Sequence, residues 1–383
     1  MTPRAPILIV LAATALAALA LVRGHRRPWP RPVPAPPAAV QAALPPSVQP
    51  LVPAPLVSRG RRVASSPRGG EVLVDGIYRT KASWAGGRPT PGRPSWAAID
   101  VGAGPTRLLV AWTSSGNHDY LDRKYGAPVD YRLETSADST NGEDGTWRIA
   151  MAVEGNPART RTHAIDFTGQ RWLRLKVTGL SPDVFEWGLY VDELDVWDLS
   201  AGGDDVWVFF GDSITSGVFD RSPAHQPGFP EVIHARHPGY FPAAVNAGFG
   251  NLHHTEAPLV VDEILSLNPD AKVVALSFGS NDWDPEAFRR DLVETVRRVR
   301  AAGRIPIVPR IPYRTDTKED FAARLNEVVD AVTREEDLLP GPDLYGWFRA
   351  HPGRLADGLH PDPAGAVEVI RMWADAVEPL YRR

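Results

Sequence analysis

Two short runs bring together the side chains of a nucleophile and its base. Ser213 stands in Phe209-Phe210-Gly211-Asp212-Ser213-Ile214-Thr215, and Asp357 and His360 lie three residues apart in Asp357-Gly358-Leu359-His360-Pro361. A serine hydroxyl becomes a useful nucleophile only when a base takes its proton, and that base needs a carboxylate to orient it. Asp357 and His360 can supply both from one turn. A serine after aspartate at a strand end also reads as a helix N-cap, so Ser213 alone would prove little. The chain has no Gly-x-Ser-x-Gly elbow, which argues against the α/β-hydrolase solution to the same problem.

The elements around these runs place them at the ends of buried strands. Val206-Trp-Val-Phe-Phe and Val273-Val-Ala-Leu-Ser-Phe are continuous apolar runs, as expected of strands covered on both faces. Ile305-Pro-Ile-Val-Pro is a third candidate, made suspect by its two prolines. Helical patterns over 285–302 and 319–334, and from 364 onward, alternate with the strands and imply an α/β domain with a largely parallel sheet. Ser213 then falls at a strand's C-terminal edge, where open α/β sheets place ligands. The N–H groups of the following helix start aim at the same point. The second strand ends in Phe278-Gly279-Ser280-Asn281-Asp282, another glycine-containing turn.

Residues 70–200 have a different texture. Trp96-Ala-Ala-Ile-Asp-Val, Arg107-Leu-Leu-Val-Ala-Trp, Tyr131-Arg-Leu-Glu-Thr-Ser, Trp147-Arg-Ile-Ala-Met-Ala-Val, Trp172-Leu-Arg-Leu-Lys-Val and Val191-Asp-Glu-Leu-Asp-Val-Trp are strand-like segments between Gly/Asn/Asp/Pro turns. Their spacing and alternation predict an all-β sandwich.

The run Gly211-Asp212-Ser213-Ile214-Thr215, the turn Gly279-x-Asn281-Asp282 and Asp357-x-x-His360-Pro361 resemble the first, third and fifth sequence blocks of the SGNH (GDSL) hydrolase family, in order and at similar separations. Val245-Asn246-Ala247-Gly248-Phe249-Gly250-Asn251 resembles the second block, with a spacing that departs by one residue. The resemblance covers residues 204–380 and implies a flavodoxin-like, three-layer α/β domain with a parallel sheet. It implies that Ser213 attacks an ester carbonyl, that His360 takes and returns the proton, and that Asp357 orients His360. The oxyanion hole would comprise the N–H of Ser213, the side-chain amide of Asn281 and the N–H of Gly248 or Gly250, with Gly250 favoured. Asp212 is read as a hydrogen-bonding residue of the scaffold.

The sandwich region, with Leu73-Val-Asp-Gly, Trp96-Ala-Ala-Ile-Asp-Val-Gly, Trp147 and Trp172-Leu-Arg-Leu-Lys-Val, resembles a galactose-binding-like jelly roll of the discoidin type. Such domains are commonly appended to secreted carbohydrate-active enzymes. Tryptophans stack on sugar faces, yet most tryptophans in strands are core, so their exposure decides.

The 383 residues therefore divide into four predicted segments: 1–27, 28–68, 69–200 and 204–383. The first has an apolar Ala/Leu-rich stretch over 5–22 between Arg4 and Arg23-Gly-His-Arg-Arg, the pattern of a signal peptide or a membrane anchor. The second is proline-rich and predicts a disordered, extended spacer. Together they place the folded parts outside the cytoplasm, secreted or tethered to a surface. The third is the sandwich and the fourth the hydrolase domain.

A net charge of −4 without a basic, aromatic-interleaved stripe excludes nucleic acid as an expected partner. The absence of cysteine removes disulfides, thiolate chemistry and Cys-ligated zinc. His253, His254 and Glu256 are of metal-ligating types, but adjacent histidines rarely converge on one ion. They read as pocket lining, and no metal or cofactor is expected. Trp283 and Asp284 are placed to border the same pocket. The function expected is an exported serine esterase that removes acyl groups, acetyl above all, from a carbohydrate or wall polymer. A lipase or thioesterase shares the mechanism, and a non-catalytic carbohydrate-binding surface protein is the contrasting class.

Overall fold

Arg107-Leu-Leu-Val-Ala-Trp-Thr is apolar at five consecutive positions, a pattern that suits a strand covered on both faces. A computed structural model, describing residues 50–77, 83–114, 126–158, 160–180, 188–317 and 320–382, shows what covers it. The N-terminal half contains β1 (Val63–Ser66), β2 (Trp84–Gly87), β3 (Ser95–Asp100), β4 (Arg107–Thr113), β5 (Asp130–Ser136), β6 (Arg148–Val153), β7 (Thr160–Asp166), β8 (Trp172–Gly179), β9 (Leu189–Val191) and β10 (Glu193–Asp198). They form antiparallel sheets in the orders β1-β3-β8-β5-β6 and β10-β4-β7, with β2 paired to β9. Ile99, Leu133, Leu173 and Leu175 of one sheet share a core with Leu108, Val110 and Val196 of the other. The alternate residues of β4, Leu109 and Ala111, belong to a second core together with the C-terminal half.

The proline-rich segment predicted as a spacer through residue 68 is part of the fold from residue 50 onward. Leu51 and Ala54 are fully buried. The Val52 N–H donates to Asp204 Oδ1 at 2.7 Å, Leu56 bridges Trp197, and the Val57 N–H donates to the Val196 carbonyl at 2.8 Å. An extended chain rich in proline suits a sheet edge, where only alternate N–H groups are needed. Residues 1–49, which hold the predicted signal or anchor and the rest of the spacer, lie outside the described residues. Among those described, no helix is long and apolar enough to cross a membrane.

The C-terminal half contains β11 (Val206–Gly211), β12 (Ala243–Gly248), β13 (Val273–Ser277), β14 (Ile305–Arg310) and β15 (Pro340–Asp343). All pair in parallel, in the order β12-β11-β13-β14-β15. The helices are α1 (Ser213–Val218), α2 (Phe229–Arg236), α3 (Ala257–Leu267), α4 (Pro285–Ala301), α5 (Phe321–Glu335), α6 (Leu344–Ala350) and α7 (Pro363–Ala376). Counted within this half, the strand order is 2-1-3-4-5, the flavodoxin-like arrangement, whose ligand crevice opens between its first and third strands. Here those strands are β11 and β13. Val208, Phe210 and Leu276 face one layer with α3, α4 and α5, and Trp207, Phe209 and Ala275 face the other with α1, α2, α6 and α7. The prolines of β14 are accommodated near the sheet margin: Pro309 falls at the register break between Val308 and Arg310, against the short strand β15.

At the start of β11, Asp205 is completely buried. Its Oδ1 accepts from Trp207 Nε1 at 2.8 Å and from the Tyr381 hydroxyl at 2.9 Å, while Oδ2 has no partner among the described residues. Burial pushes its carboxyl up to about 7, against the pull of these two donors. A folded-state value above the unfolded one means stability that is full below about pH 4 and lost as pH rises toward 7. Asp205→Asn keeps the accepting oxygen and removes the titration. Between pH 5 and pH 8 the wild-type melting temperature should therefore fall relative to that of Asp205→Asn, a relative loss on the order of 1–4 kcal/mol. Equal pH dependence in the two proteins would refute the assignment.

Candidate active site

β11 ends at Gly211, where a side chain is excluded because a Cβ would lie 2.0 Å from the Ser277 carbonyl oxygen of β13. This close approach brings the next residue, Asp212, into the crevice between the two strands. Asp212 is the N-cap of α1: its Oδ1 accepts from the Ile214 N–H at 3.0 Å, and its Oδ2 accepts from the Ser280 N–H at 3.3 Å. Burial raises its carboxyl to about 6, while these N–H donors act in the opposite direction. Asp212 thus ties the turn after β11 to the turn after β13. Ser213, the first residue of α1, carries one of the N–H groups that a helix start leaves without an intrahelical acceptor.

Ser213 Oγ lies 2.8 Å from His360 Nε2. His360 Nδ1 lies 2.8 Å from Asp357 Oδ2, and Asp357 Oδ1 accepts the N–H groups of His360 at 2.8 Å and Leu359 at 3.0 Å. The His360 N–H and imidazole therefore hold the Asp357 carboxyl well below the usual carboxylate range. With Nδ1–H donated to a carboxylate, Nε2 of a neutral imidazole is the free acceptor for the serine proton. The turn that holds them is closed by the Ala356 N–H to the His360 carbonyl at 2.8 Å, and α7 starts directly after it on the N-cap Asp362.

The two glycines left open by the motif spacing are distinguished by their surroundings. The Gly248 N–H is taken by Asn246 Oδ1 at 2.9 Å, and a Cβ at Gly248 would meet the Ser216 nitrogen at 2.2 Å, so this glycine lets α1 pack on β12. Gly250 is exposed in the following turn, and among the described residues its N–H has no partner. Asn281 donates through Nδ2 to the Leu252 carbonyl at 3.0 Å, which orients its amide and leaves the second amide hydrogen uncommitted.

His253 and His254 do not line an open pocket together. His254 is buried, with Nδ1 2.6 Å from Asp282 Oδ1 and its N–H donating to the same carboxyl group. His253 Nδ1 lies 3.2 Å from Asp282 Oδ1, and the His253 N–H donates to Glu256 Oε2 at 3.0 Å. Among the described residues no group of three or more His, Asp or Glu side chains converges as a metal site. Trp283 is 64% exposed, with the His253 ring against it edge-on at 5.9 Å. Asp284 is turned away as the N-cap of α4, accepting from the Glu286 and Ala287 N–H groups.

The motifs gave no sign of the segment after β14. Arg314 donates to the Ser280 carbonyl and holds Asp316 through two bonds of 2.6 Å, and the Thr315 N–H donates to the Gly358 carbonyl at 2.7 Å. It joins the Asn281 turn to the His360 turn. Its only sequence signal was its place after a strand's C-terminal end.

Ser213, His360 and Asp357 thus form a hydrogen-bonded series at the switch point of a doubly wound parallel sheet. Residues 209–367 match the GDSL-like lipase/acylhydrolase family. Over this stretch, about two fifths of its length, the chain carries a GDSL-like lipase/acylhydrolase domain and is a serine hydrolase acting on ester bonds. No curated protein matches. Similar solved structures include TesA, at 20% identity over 46% of this chain and 99% of that one with a TM-score of 0.40. An acetylxylan esterase from Geobacillus stearothermophilus aligns at 19% identity over 45% and 93%, TM-score 0.39. Protein YXIM from Bacillus subtilis aligns at 17% identity over 74% and 80%, TM-score 0.42.

Asp212→Ala removes a helix cap and leaves the Ser280 N–H without its acceptor in a buried site. Urea denaturation should show a loss of about 2–4 kcal/mol, with esterase activity falling as well. Unchanged stability would mean that Asp212 does not join the two turns.

Proposed function

We propose that the chain is an exported esterase that removes short acyl groups, acetyl foremost, from a carbohydrate or wall polymer. The observation that carries the catalytic part is the continuous relay Ser213 Oγ, His360, Asp357, with 2.8 Å at each step. Ser213 Oγ attacks the ester carbonyl carbon as its proton passes to His360 Nε2. The tetrahedral oxyanion is received by the N–H groups of Ser213 and Gly250 and by the free amide hydrogen of Asn281. His360 then returns the proton to the alcohol oxygen as the carbon–oxygen bond breaks. Water, giving a proton to His360, attacks the acyl carbon, and His360 passes that proton to Ser213 Oγ as the acyl–Oγ bond breaks and the acid leaves. Asp357, held as a carboxylate by its N–H donors, keeps the imidazole oriented and offsets its charge.

The openness of the site supports this substrate class. The His360 side chain is 40% exposed and that of Asp357 58%, so the relay faces solvent where a polymer-borne ester can reach it. Trp283, two residues beyond Asn281, offers the flat apolar ring on which a sugar face can stack. Export is supported by the apolar 5–22 segment between basic residues and the proline-rich stretch that follows. N-terminal sequencing of protein recovered outside the cytoplasm tests it.

Hydrolysis of p-nitrophenyl acetate should be abolished in Ser213→Ala and reduced about 10²–10³-fold in kcat in Asn281→Ala. A wild-type protein inert on all acyl esters and unreactive toward serine-directed phosphonates would sink the esterase reading. Among p-nitrophenyl esters, rates should fall as the acyl chain lengthens; a rise would favour a lipase. Trp283→Ala should raise KM for an acetylated oligosaccharide several-fold while leaving p-nitrophenyl acetate within about twofold, since stacking is worth about 1 kcal/mol.

A further inference from the structure

The loop over 249–256, which carries Gly250, and the turn over 279–282, which carries Asn281, come from different strands, and a hydrogen-bonded cluster behind the site connects them. The loop is fixed at its start by the Phe249 N–H donating to the Gly211 carbonyl at 2.7 Å. Asn251 in its middle has a left-handed backbone, φ 58°. Past that point it is tied to the other turn by the Leu252 carbonyl, which accepts from Asn281 Nδ2 at 3.0 Å, and by His253 and His254, which meet Asp282.

Asp282 is the hub. Its side chain is 1% exposed and its own N–H donates to the Gly279 carbonyl at 3.1 Å, closing the turn. One carboxyl group takes the His254 N–H at 3.1–3.2 Å, the His254 ring at 2.6 Å and the His253 ring at 3.2 Å. On the other side of the His254 ring, Nε2 has no hydrogen-bond partner among the described residues and lies 3.5 Å from Asp291 Oδ2 of α4. Asp291 is itself paired with Arg290 at 2.8 and 2.9 Å, and the Phe288 ring packs edge-on to His254 at 6.0 Å. Among the described residues the bond to Asp282 is thus the one hydrogen bond that the His254 ring makes.

We propose that His254 and Asp282 are positioning residues that clamp the two oxyanion-binding turns together, so that the Gly250 N–H and the Asn281 amide converge on one point. The proposal rests on the reading of Gly250 and Asn281 as oxyanion donors. Neither clamp residue meets the substrate. A donor held out of place costs transition-state stabilisation and leaves ground-state binding alone, so the clamp acts on kcat.

The test uses the full chain with p-nitrophenyl acetate. His254→Ala and Asp282→Ala should each lower kcat at least ~10-fold, with KM within about twofold and the shape of the pH–rate profile unchanged. His254→Asn, whose Nδ2 can stand where Nδ1 donates to Asp282, should recover kcat to within about threefold of wild type. His254→Gln, whose amide reaches the Nε2 place instead, should not. Combining His254→Ala with Asn281→Ala should cost less than the two single losses multiplied, because both act on the same donor.

The clamp is overturned if His254→Ala and Asp282→Ala keep wild-type kcat, if the loss lies in KM, or if Asn and Gln at 254 behave alike. That last comparison also decides should the alanine variants fail to fold. The underlying reading fails separately: Ser213→Ala that stays active removes the esterase site, and Asn281→Ala that stays fully active removes the oxyanion role. Either result overturns the clamp as well.

Discussion

Asp212 holds two turns with one carboxyl group, and the geometry around Ser213 depends on it. One oxygen caps α1, which fixes the direction in which Ser213 leaves β11; the other takes the Ser280 N–H, which fixes the turn bearing Asn281. Burying a carboxyl is unfavourable, and burial is the largest cause of the rise of Asp212 to about 6. The cost is offset only while both N–H groups remain in place. A side chain reaching two turns at once is possible because Gly211 lets β11 and β13 approach closely, with a Cβ there excluded by Ser277. Ser213, the proposed nucleophile, is thus positioned from behind, by a residue that takes main-chain N–H groups of both turns.

The parallel sheet supplies the remaining register. β11 pairs with β12 through Gly211 and Gly248 and with β13 through Gly211 and Ser277, so all three strands end at one level. The three turns that leave that edge carry Ser213, Gly250 and Asn281, and His360 arrives from the turn before α7. Much of this was legible in the sequence. Continuous apolar runs marked β11 and β13, and the short motifs at their ends marked the turns. Neither Asp282, His254 nor Arg314 was legible in its role, because each acts through a contact between loops distant in the chain. No local pattern records such contacts. His254 looked like a metal or pocket residue from its type, and only burial against Asp282 shows otherwise.

Legibility in the N-terminal half failed for a different physical reason. β4 reads as a continuous apolar run and β3, β5, β6, β8 and β10 as apolar-rich, strand-like segments between turns, so they stood out. β7, Thr160-Arg-Thr-His-Ala-Ile-Asp, is largely polar, yet it pairs with β4 along its whole length and buries His163 against the Tyr131 hydroxyl. Its Thr162 turns to the other half of the molecule, reaching Asn268 Oδ1 at 3.2 Å. Polar residues satisfied by partners across an interface read as surface in a sequence. The stretch over 50–68 misleads in the same way: prolines signal a spacer, but Leu51 and Ala54 are buried and the intervening carbonyls accept sheet bonds.

What the two halves share bears on how the site works. The core containing Leu109, Ala111 and Trp197 continues through β12 into α3 and α4, so the scaffold beneath the Gly250 loop is packed on both sides. The relay above it is not enclosed: Asp357 and His360 stand on a turn at the surface, oriented by their own N–H groups and by the Thr315 bond to Gly358. Donors aimed at an oxyanion are strongest where water is excluded. On the proposed reading, a substrate lying over so open a site would itself exclude water from the relay as it binds. A large acyl-bearing partner lying across Trp283 would do so, whereas a small soluble ester would leave the relay wet. On that reading the protein holds the donors in place by hydrogen bonds between its turns, and the substrate completes the dry surface in which they act.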